Sequence, residues 1–219
     1  MHRKQLALAT EGNFMLDLPK STYFGRIIAK DKIYAHASAD SDLKEIFVEQ
    51  VERIRWLNKI SPATVNIAQG EQVEEIQVIE VTLTTPSPDK RILPAILKAI
   101  PYKIVFALEY GGATTYKVYY DGKTSFTSDK PPRLVGNDTD SVWENIIVQM
   151  RGMAVDEGKT LGEQIAEDSE RENLLRKIEN LEKQARNEKQ PRRKWEFAEE
   201  VKILHEKLNF NLKSSTKNK

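Results

Sequence analysis

The most regular pattern of apolar and polar residues in the chain runs from Val73 to Leu83 and is rich in β-branched side chains. It lies between Gly70 and Pro86, so its length and composition predict a β-strand. Successive side chains of a strand point to opposite faces, and both faces of this strand carry apolar residues. Such a strand is expected in the middle of a sheet. We therefore predict a small mixed sheet centred on strand 73–84.

The segments that follow this strand predict an α+β domain with packed helices. Two apolar runs joined by a diglycine predict a β-hairpin over residues 102–120. Apolar residues at helical spacing predict helices over about residues 90–100 and 140–150. The first of these helices is expected to cross over between two parallel strands. The domain as a whole is expected to span residues 1–157.

Two further elements are predicted before the central strand. The segment from Tyr23 to Tyr34 is basic and is expected to be extended. From Leu43 to Leu57, apolar residues repeat at helical spacing, which predicts an amphipathic helix of about five turns.

The last third of the chain is crowded with Glu, Lys and Arg, and its apolar residues fall in two regular sets. Steps of four, three and four residues are typical of a coiled-coil seam, and the two sets mirror each other about Pro191. We therefore predict an antiparallel coiled-coil hairpin over residues 158–210, with its turn near 188–193. The basic tail, 211–219, is expected to be disordered. The two sets are Leu174, Ile178, Leu181 and Ala185, and then Phe197, Val201, Leu204 and Leu208.

The composition narrows the classes of function. The chain has 219 residues and a net charge of +1, so no overall field attracts it to DNA or to a membrane. It has no cysteine, which excludes disulfides and thiolate chemistry and fits a cytoplasmic protein. No apolar run approaches the roughly 20 residues that span a bilayer, and no phosphate-binding glycine loop occurs. The 3 histidines lie in unrelated segments, so we predict neither a metal nor a cofactor.

One pair of polar residues on the central strand is a candidate active site. Glu75 and Gln77 share a strand face, where metal-dependent nucleases of the restriction-enzyme type place an acid and a lysine. In that hypothesis Asp42 or Asp40 supplies a second carboxylate, the carboxylates bind magnesium, and glutamine stands where lysine is expected. The structural alternative is a polar pair that hydrogen-bonds to nearby backbone or to Asn66.

Two groups of basic residues are candidate nucleic-acid contacts. The turn of the predicted coiled-coil hairpin is either a solvated loop, a phosphate contact or a dock for an acidic protein surface. Lys103 and Lys117 are interleaved with tyrosines that either stack on single-stranded nucleic acid or pack across the β-hairpin. The basic residues of the turn are Arg186, Lys189, Arg192, Arg193 and Lys194.

Several parts of the chain together resemble one family: residues 56–67, Gly70 with residues 73–78, residues 99–102, the helix around Trp143, and residues 188–191. The family is the uncharacterised DUF4391, and the resemblance spans about residues 18–208. The family has no established reaction, so the resemblance implies only a context. Similar proteins are encoded beside helicase-type ATPases and DNA methyltransferases in prokaryotic restriction or phage-defence loci.

The leading hypothesis is therefore a non-enzymatic accessory subunit of a DNA-acting defence or restriction-modification complex. Its coiled-coil hairpin would dock on a helicase or methyltransferase, or on a second copy of the chain, and the basic groups would add DNA contacts. One alternative is the metal-dependent nuclease centred on Glu75 and Gln77, and another is an inhibitor or antitoxin of a partner enzyme. The predicted partner-binding residues are Leu174, Ile178, Leu181, Val201, Leu204 and Leu208.

Overall fold

A computed structural model of the chain describes the backbone of residues 18–216 and the side chains of residues 18–209. The chain divides into two compact units, Met1–Met153 and Ala154–Lys219. Of the helices in the described residues, none is long and apolar enough to cross a membrane.

The described residues of the first unit form a six-stranded mixed sheet whose strands lie side by side in chain order. The strands are β1 (Tyr23–Ile27), β2 (Val51–Ile60), β3 (Ile76–Leu83), β4 (Lys103–Tyr110), β5 (Ala113–Tyr119) and β6 (Ser125–Ser128). Neighbouring strands are antiparallel, except that β3 and β4 are parallel. Every residue of β3 is buried, so the predicted central strand is confirmed, as is the β-hairpin of β4 and β5.

Helices pack on both faces of this sheet. In the described residues of the first unit the helices are α1 (Lys30–Ala37), α2 (Ser41–Gln50), α3 (Pro62–Val65), α4 (Ile92–Ala99) and α5 (Thr139–Arg151), and those of the second unit are α6 (Leu161–Asn187) and α7 (Pro191–Thr216). Apolar residues of α1, α2 and α4 form one core with β2, β3 and β4. α5 packs against β5 and β6. α4 makes the predicted crossover between the two parallel strands, which completes the mixed α/β architecture.

The predicted helix from Leu43 to Leu57 is wrong in its second half, because α2 ends at Gln50 and β2 follows directly. The pairing of β2 with β3 shifts register at two places, each of which adds a residue to β2. Val51 and Ile54 therefore contribute to the same core although they are three residues apart. A bulged strand thus reproduces the apolar spacing of a helix, which is why the sequence pattern was misleading.

The segment from Tyr23 to Tyr34 is extended only in β1, since α1 begins at Lys30. The Lys30 ammonium donates hydrogen bonds to the carbonyl oxygens of Phe47, at 3.0 Å, and of Val51. It thereby binds the start of α1 to the end of α2, where basic side chains often bond helix carbonyls. These contacts come from residues distant in sequence, so the local pattern of this segment did not predict the helix.

In the second unit, α6 and α7 pack together as the predicted helical hairpin. Both seam sets contribute to its apolar core, in which Leu174, Ile178 and Leu181 of α6 meet Leu204 and Leu208 of α7. Two ion pairs join the helices beside the seam, Lys177–Glu200 at 2.7 Å and Lys207–Glu170 at 3.0 Å.

The tail predicted as disordered, 211–219, overlaps α7, because this helix runs to Thr216. Residues 217–219 lie outside the described residues.

Candidate functional site

The first unit contains a cavity of about 380 Å³ beside the start of β3. β2 and β3 are antiparallel, so the end of β2 lies against the start of β3, with Lys59 opposite Gln77. α1 and the end of α4 supply the remaining walls. The polar lining residues are Lys32, His36, Lys59, Glu75 and Gln77.

Glu75 is a nearly buried carboxylate that is neutralised from the neighbouring strand. Its side chain is 9% exposed, and the Lys59 ammonium forms an ion pair with Oε2. The Gln77 amide donates a hydrogen bond from Nε2 to Oε1 of the same carboxylate. A buried carboxylate requires such partners, because removing it from water is costly. Glu75 and Gln77 therefore form a hydrogen-bonded polar pair, as in the structural alternative, but the further partner is Lys59 and not Asn66.

The orientation of the Gln77 amide follows from this contact. An ionised carboxylate only accepts hydrogen bonds, so the amide nitrogen faces Glu75 and the carbonyl oxygen faces away. Gln77 is 2% exposed, and among the described residues its Oε1 has no hydrogen-bond partner. Buried acceptors usually have a partner, because leaving one unpaired costs about 1–3 kcal/mol. This oxygen is consequently the least satisfied polar atom of the cavity lining.

The other walls of the cavity are apolar and aromatic. Trp56 of β2 lines it, and Phe24 of β1 stacks on the Trp56 ring, with centroids 4.5 Å apart and an interplanar angle of 13°. The Trp56 indole also donates a hydrogen bond from Nε1 to the backbone oxygen of Asn58, at 3.1 Å. The ring is therefore held in place from two sides. Its apolar neighbours in the lining are Ile28, Ile33, Ile79 and Ile100.

Positive charge predominates at the cavity. Lys32 and His36 are exposed and lie one helical turn apart on α1, so they share the side that borders the cavity. The charge of Lys59 is balanced by Glu75, which is the one carboxylate among the described lining residues. The remaining cation on α1 favours an anionic group at the mouth of the cavity.

A loop pinned to α5 positions the start of β3. The backbone N–H groups of Glu71, Gln72 and Val73 donate hydrogen bonds to the Asp140 carboxylate at 2.7–3.2 Å. Burial acts against ionisation, but these three donors lower the pKa of Asp140 below its ordinary value. A Cβ at Gly70 would lie 2.7 Å from the backbone nitrogen of Asp140, so this close approach requires glycine. The loop therefore fixes where Glu75 enters the sheet.

A second buried carboxylate, Glu80, lies on the opposite face of β3. The Arg55 guanidinium donates to both of its oxygens, from Nε at 3.1 Å and from Nη2 at 2.9 Å. This bidentate geometry is the strongest form of an ion pair between side chains. The same contact raises the pKa of Arg55. Nearby, Thr82 donates a hydrogen bond to Glu109 at 3.3 Å. Both carboxylate oxygens of Glu80 therefore have a partner within the chain.

The predicted nuclease residues are only partly brought together. Glu75 and Gln77 touch, but Asp42 forms an ion pair with Arg91 at 2.6 Å, beside the start of α4. The start of α4 follows the end of β3, whereas Glu75 precedes the start of β3. Asp42 and Glu75 therefore lie near opposite ends of β3, and Asp42 is away from the cavity. Within the described residues, no three His, Cys, Asp or Glu side chains are grouped so as to hold a metal ion. The donor set at Glu75 does not fit the predicted two-carboxylate magnesium site.

The predicted basic contacts lie in both units. All basic residues of the turn between α6 and α7 are exposed: Arg186, Lys189, Arg192, Arg193 and Lys194. In the first unit Lys103 lies over the Trp143 ring at 5.6 Å, and Lys117 lies over the Tyr119 ring at 5.4 Å. Burial raises the pKa of Tyr119, whose ring packs edge-to-face on Phe106 at 6.3 Å. These tyrosine and lysine contacts are packing within the chain.

Sequence reasoning missed most of the cavity lining. Lys59 was missed because a helix was predicted where β2 lies, which hides its pairing with Gln77. Lys32 and His36 were missed because the chain up to Tyr34 was predicted as extended and no helix was predicted over Lys30–Ala37. Their four-residue spacing was the available signal, since it places them on the same side of a helix.

Comparison with known proteins places the first unit in a family. A family model described as Domain of unknown function (DUF4391) matches residues 16–130. The match includes β1 to β6 and every residue that lines the cavity, and it ends before α5 and the helical hairpin. No curated protein and no solved structure matches the chain. The family match covers just over half of the 219 residues, so the predicted resemblance is confirmed and the chain belongs to the DUF4391 family.

Proposed function

We propose that this chain is a non-enzymatic accessory subunit of a DNA-acting prokaryotic defence or restriction-modification complex. In this proposal the helical hairpin of α6 and α7 docks on a helicase-type ATPase or a DNA methyltransferase. The observation that carries the proposal is that this hairpin forms a compact unit with its own apolar core. A hairpin with a closed seam is a stable element that presents a long charged surface to a partner. The class of partner rests on the genomic context that the family resemblance implies.

The seam residues have a specific part in this proposal. Leu174, Ile178, Leu181, Leu204 and Leu208 are each at most 9% exposed. They are therefore occupied within the hairpin, and their contribution to docking is to keep α6 and α7 together. The partner would contact the outer faces, where Leu175 is 43% exposed and Ile203 is 61% exposed.

The turn between α6 and α7 supports a DNA contact within the complex. Its basic side chains are exposed, and no ion pair of Lys189 or Lys194 is found among the described residues. Unpaired surface cations bind phosphates by releasing the counterions of DNA, so such binding weakens as salt rises. We expect this contact to be independent of base sequence, because contacts to phosphates do not distinguish one base from another.

Co-purification from the source cell tests the docking, with two variants that separate its parts. Leu181→Asp combined with Val201→Asp places charges in the seam and is expected to melt the hairpin and abolish partner recovery. Charge reversal of Arg192, Arg193 and Lys194 to Glu leaves the seam intact, so it is expected to keep the partner and weaken DNA binding by the complex. Mass spectrometry identifies the partners, and circular dichroism reports helix content.

The decisive outcome is partner recovery when the hairpin has melted. If the seam variant has lost the helix signal of α6 and α7 and still recovers the partner in full, the hairpin is not the dock. Assaying the partner's ATPase or methylation activity with and without this chain separates an accessory role from an inhibitor or antitoxin.

One observation favours the nuclease alternative enough to test it. Lys59 lies beside Glu75, so β2 provides a lysine where the sequence of β3 has Gln77. However, Glu75 is the one carboxylate of the described cavity lining, whereas two-metal clamps require several. Cleavage of plasmid DNA with magnesium or manganese that disappears in Glu75→Ala would establish this alternative. We expect no cleavage by either form.

A further inference from the structure

We propose that the cavity beside Glu75 and Gln77 binds a nucleoside monophosphate, either as a free nucleotide or as the terminal nucleotide of a DNA strand. The cavity lies wholly within the first unit. The proposal therefore stands on its own residues and does not depend on docking through the helical hairpin. Three features of the cavity lining define the ligand, and each corresponds to one part of a nucleotide.

The first feature is the unpaired acceptor in the lining. Oε1 of Gln77 has no partner in the described chain, and the contact with Glu75 prevents the amide from turning over. A ligand that donates an N–H group to this oxygen would remove the free-energy cost of leaving it unpaired. A hydrocarbon ligand would not remove that cost. The edge of a nucleobase carries such N–H groups. Enzymes that hold an extruded base read it in the same way, through hydrogen bonds to its edge.

The second feature is the shape and polarity of the walls. A volume of about 380 Å³ lies within the range of about 300–1,000 Å³ that is usual for small-molecule sites. The walls include the immobilised Trp56 ring and the side chains of Ile79 and Ile100. Flat apolar surfaces of this kind bind planar heteroaromatic rings by stacking and by removing them from water.

The third feature is the exposed Lys32 ammonium on α1, with the His36 imidazole one turn away. Lys32 and His36 border the cavity, and their exposed side chains have freedom to reach a ligand at its mouth. Among the described residues, neither forms an ion pair with a carboxylate. A phosphate bound there would gain charge-assisted hydrogen bonds. The base would then lie toward Gln77 and the phosphate toward solvent, which also allows the phosphate to belong to a DNA strand.

Calorimetric titration of the full chain tests the proposal, with the deoxynucleoside monophosphates dAMP, dCMP, dGMP and dTMP as separate probes. We expect saturable binding of at least one probe, with Kd on the order of 10–100 μM for a ligand of this size. Inorganic phosphate and the matching nucleoside, titrated alone, are each expected to bind at least tenfold more weakly. A 5′-phosphorylated single strand identifies the source: a tighter Kd than the mononucleotide indicates a strand end, and a weaker Kd indicates a free nucleotide.

Variants of the lining assign the binding to this cavity. Gln77→Met keeps the size of the side chain but removes the acceptor, and it is expected to weaken binding about five- to tenfold. Ala99→Leu adds volume at the cavity wall and is expected to abolish binding, which tests the site even if Gln77→Met fails to fold. Lys32→Gln is expected to weaken binding several-fold. Its matched control, Lys123→Gln, removes an exposed lysine next to β6 and is expected to leave Kd unchanged.

Three results would overturn the proposal. The first is the absence of saturable binding of every probe up to about 1 mM, where binding no longer indicates a specific site. The second is equal affinity for inorganic phosphate and for the nucleotides, which would mean that the walls recognise no base. The third is an unchanged Kd in folded Ala99→Leu, which would place the nucleotide elsewhere. All three are measured on the isolated chain, so they are distinct from a failure to recover a partner.

Discussion

Glu75, just before β3, and Glu80, in the middle of β3, are two buried carboxylates that face opposite sides of the sheet. Each is paired with a cation of β2. Their side chains are similarly buried, at 9% and 3% exposed, so burial does not distinguish them. The partners do. The two oxygens of Glu80 accept hydrogen bonds from Nε and Nη2 of Arg55. Glu75 receives the point charge of Lys59 and the amide of Gln77, whose own oxygen is left unpaired.

A structural ion pair and a ligand site differ in whether their polar atoms are all satisfied within the chain. A bidentate arginine contact satisfies both carboxylate oxygens in one fixed geometry, so nothing is left for a ligand. A lysine and a glutamine satisfy the carboxylate but leave an acceptor beside a cavity of about 380 Å³. Binding sites are recognised by such incomplete satisfaction next to open volume. The Glu75 side has both: Oε1 of Gln77 is unpaired, and Gln77 lines the cavity.

The largest expected effect is at Glu80. Replacing it in Glu80→Ala leaves the Arg55 guanidinium without its partner, and breaking a buried ion pair costs about 3 kcal/mol or more of unfolding free energy. Arg55 is 32% exposed and regains some water, which keeps the loss at the lower end. Urea denaturation measures it. A loss below about 1 kcal/mol would show that the bidentate pair is no more structural than a surface ion pair.

A smaller effect is expected at Asp140, which holds the loop that leads to Glu75. Asp140→Asn can no longer accept from all three backbone N–H groups, so we expect a loss of about 1–2 kcal/mol at neutral pH. The folded pKa of Asp140 is lowered, so its ionised form stabilises the fold above the ordinary value of 3.8. That contribution is lost as the pH falls through the folded pKa.

The pH dependence provides the control for Asp140. The difference in unfolding free energy between wild type and Asp140→Asn should shrink as the pH falls below about 3.8, because the protonated carboxyl resembles the amide. Denaturation at pH 7 and pH 3 measures this. A difference that stays constant would assign the effect to shape and not to the charge of Asp140.

These comparisons also show how far the sequence alone defines the molecule. The central strand, the β-hairpin, the crossover helix and the α6–α7 hairpin were predictable, because each has a local apolar period that matches its structure. β2 was not, because its bulges imitate helical spacing. The site was half predictable: Glu75 and Gln77 stood out as polar residues in an apolar strand, but Lys59 reaches them only through strand pairing. Asp42 pairs with Arg91 and not with the Glu75 site, because its place depends on how α2 packs on the sheet, which no local pattern shows.

The smallest effect on stability is expected at Glu75, together with a gain in ligand affinity. Glu75→Gln keeps the shape of the side chain and an acceptor for the Gln77 amide, and Lys59, at 28% exposed, can turn to water, so the loss should be below about 1 kcal/mol. Removing the negative charge also frees Lys59 for an anion, so nucleotide binding should strengthen several-fold. Glu80→Gln, the matched control on the other face, should leave Kd unchanged. Weaker binding in Glu75→Gln would mean that the carboxylate itself contacts the ligand. The Glu75 face would then differ from the Glu80 face by that direct contact and not by the unpaired Gln77 oxygen.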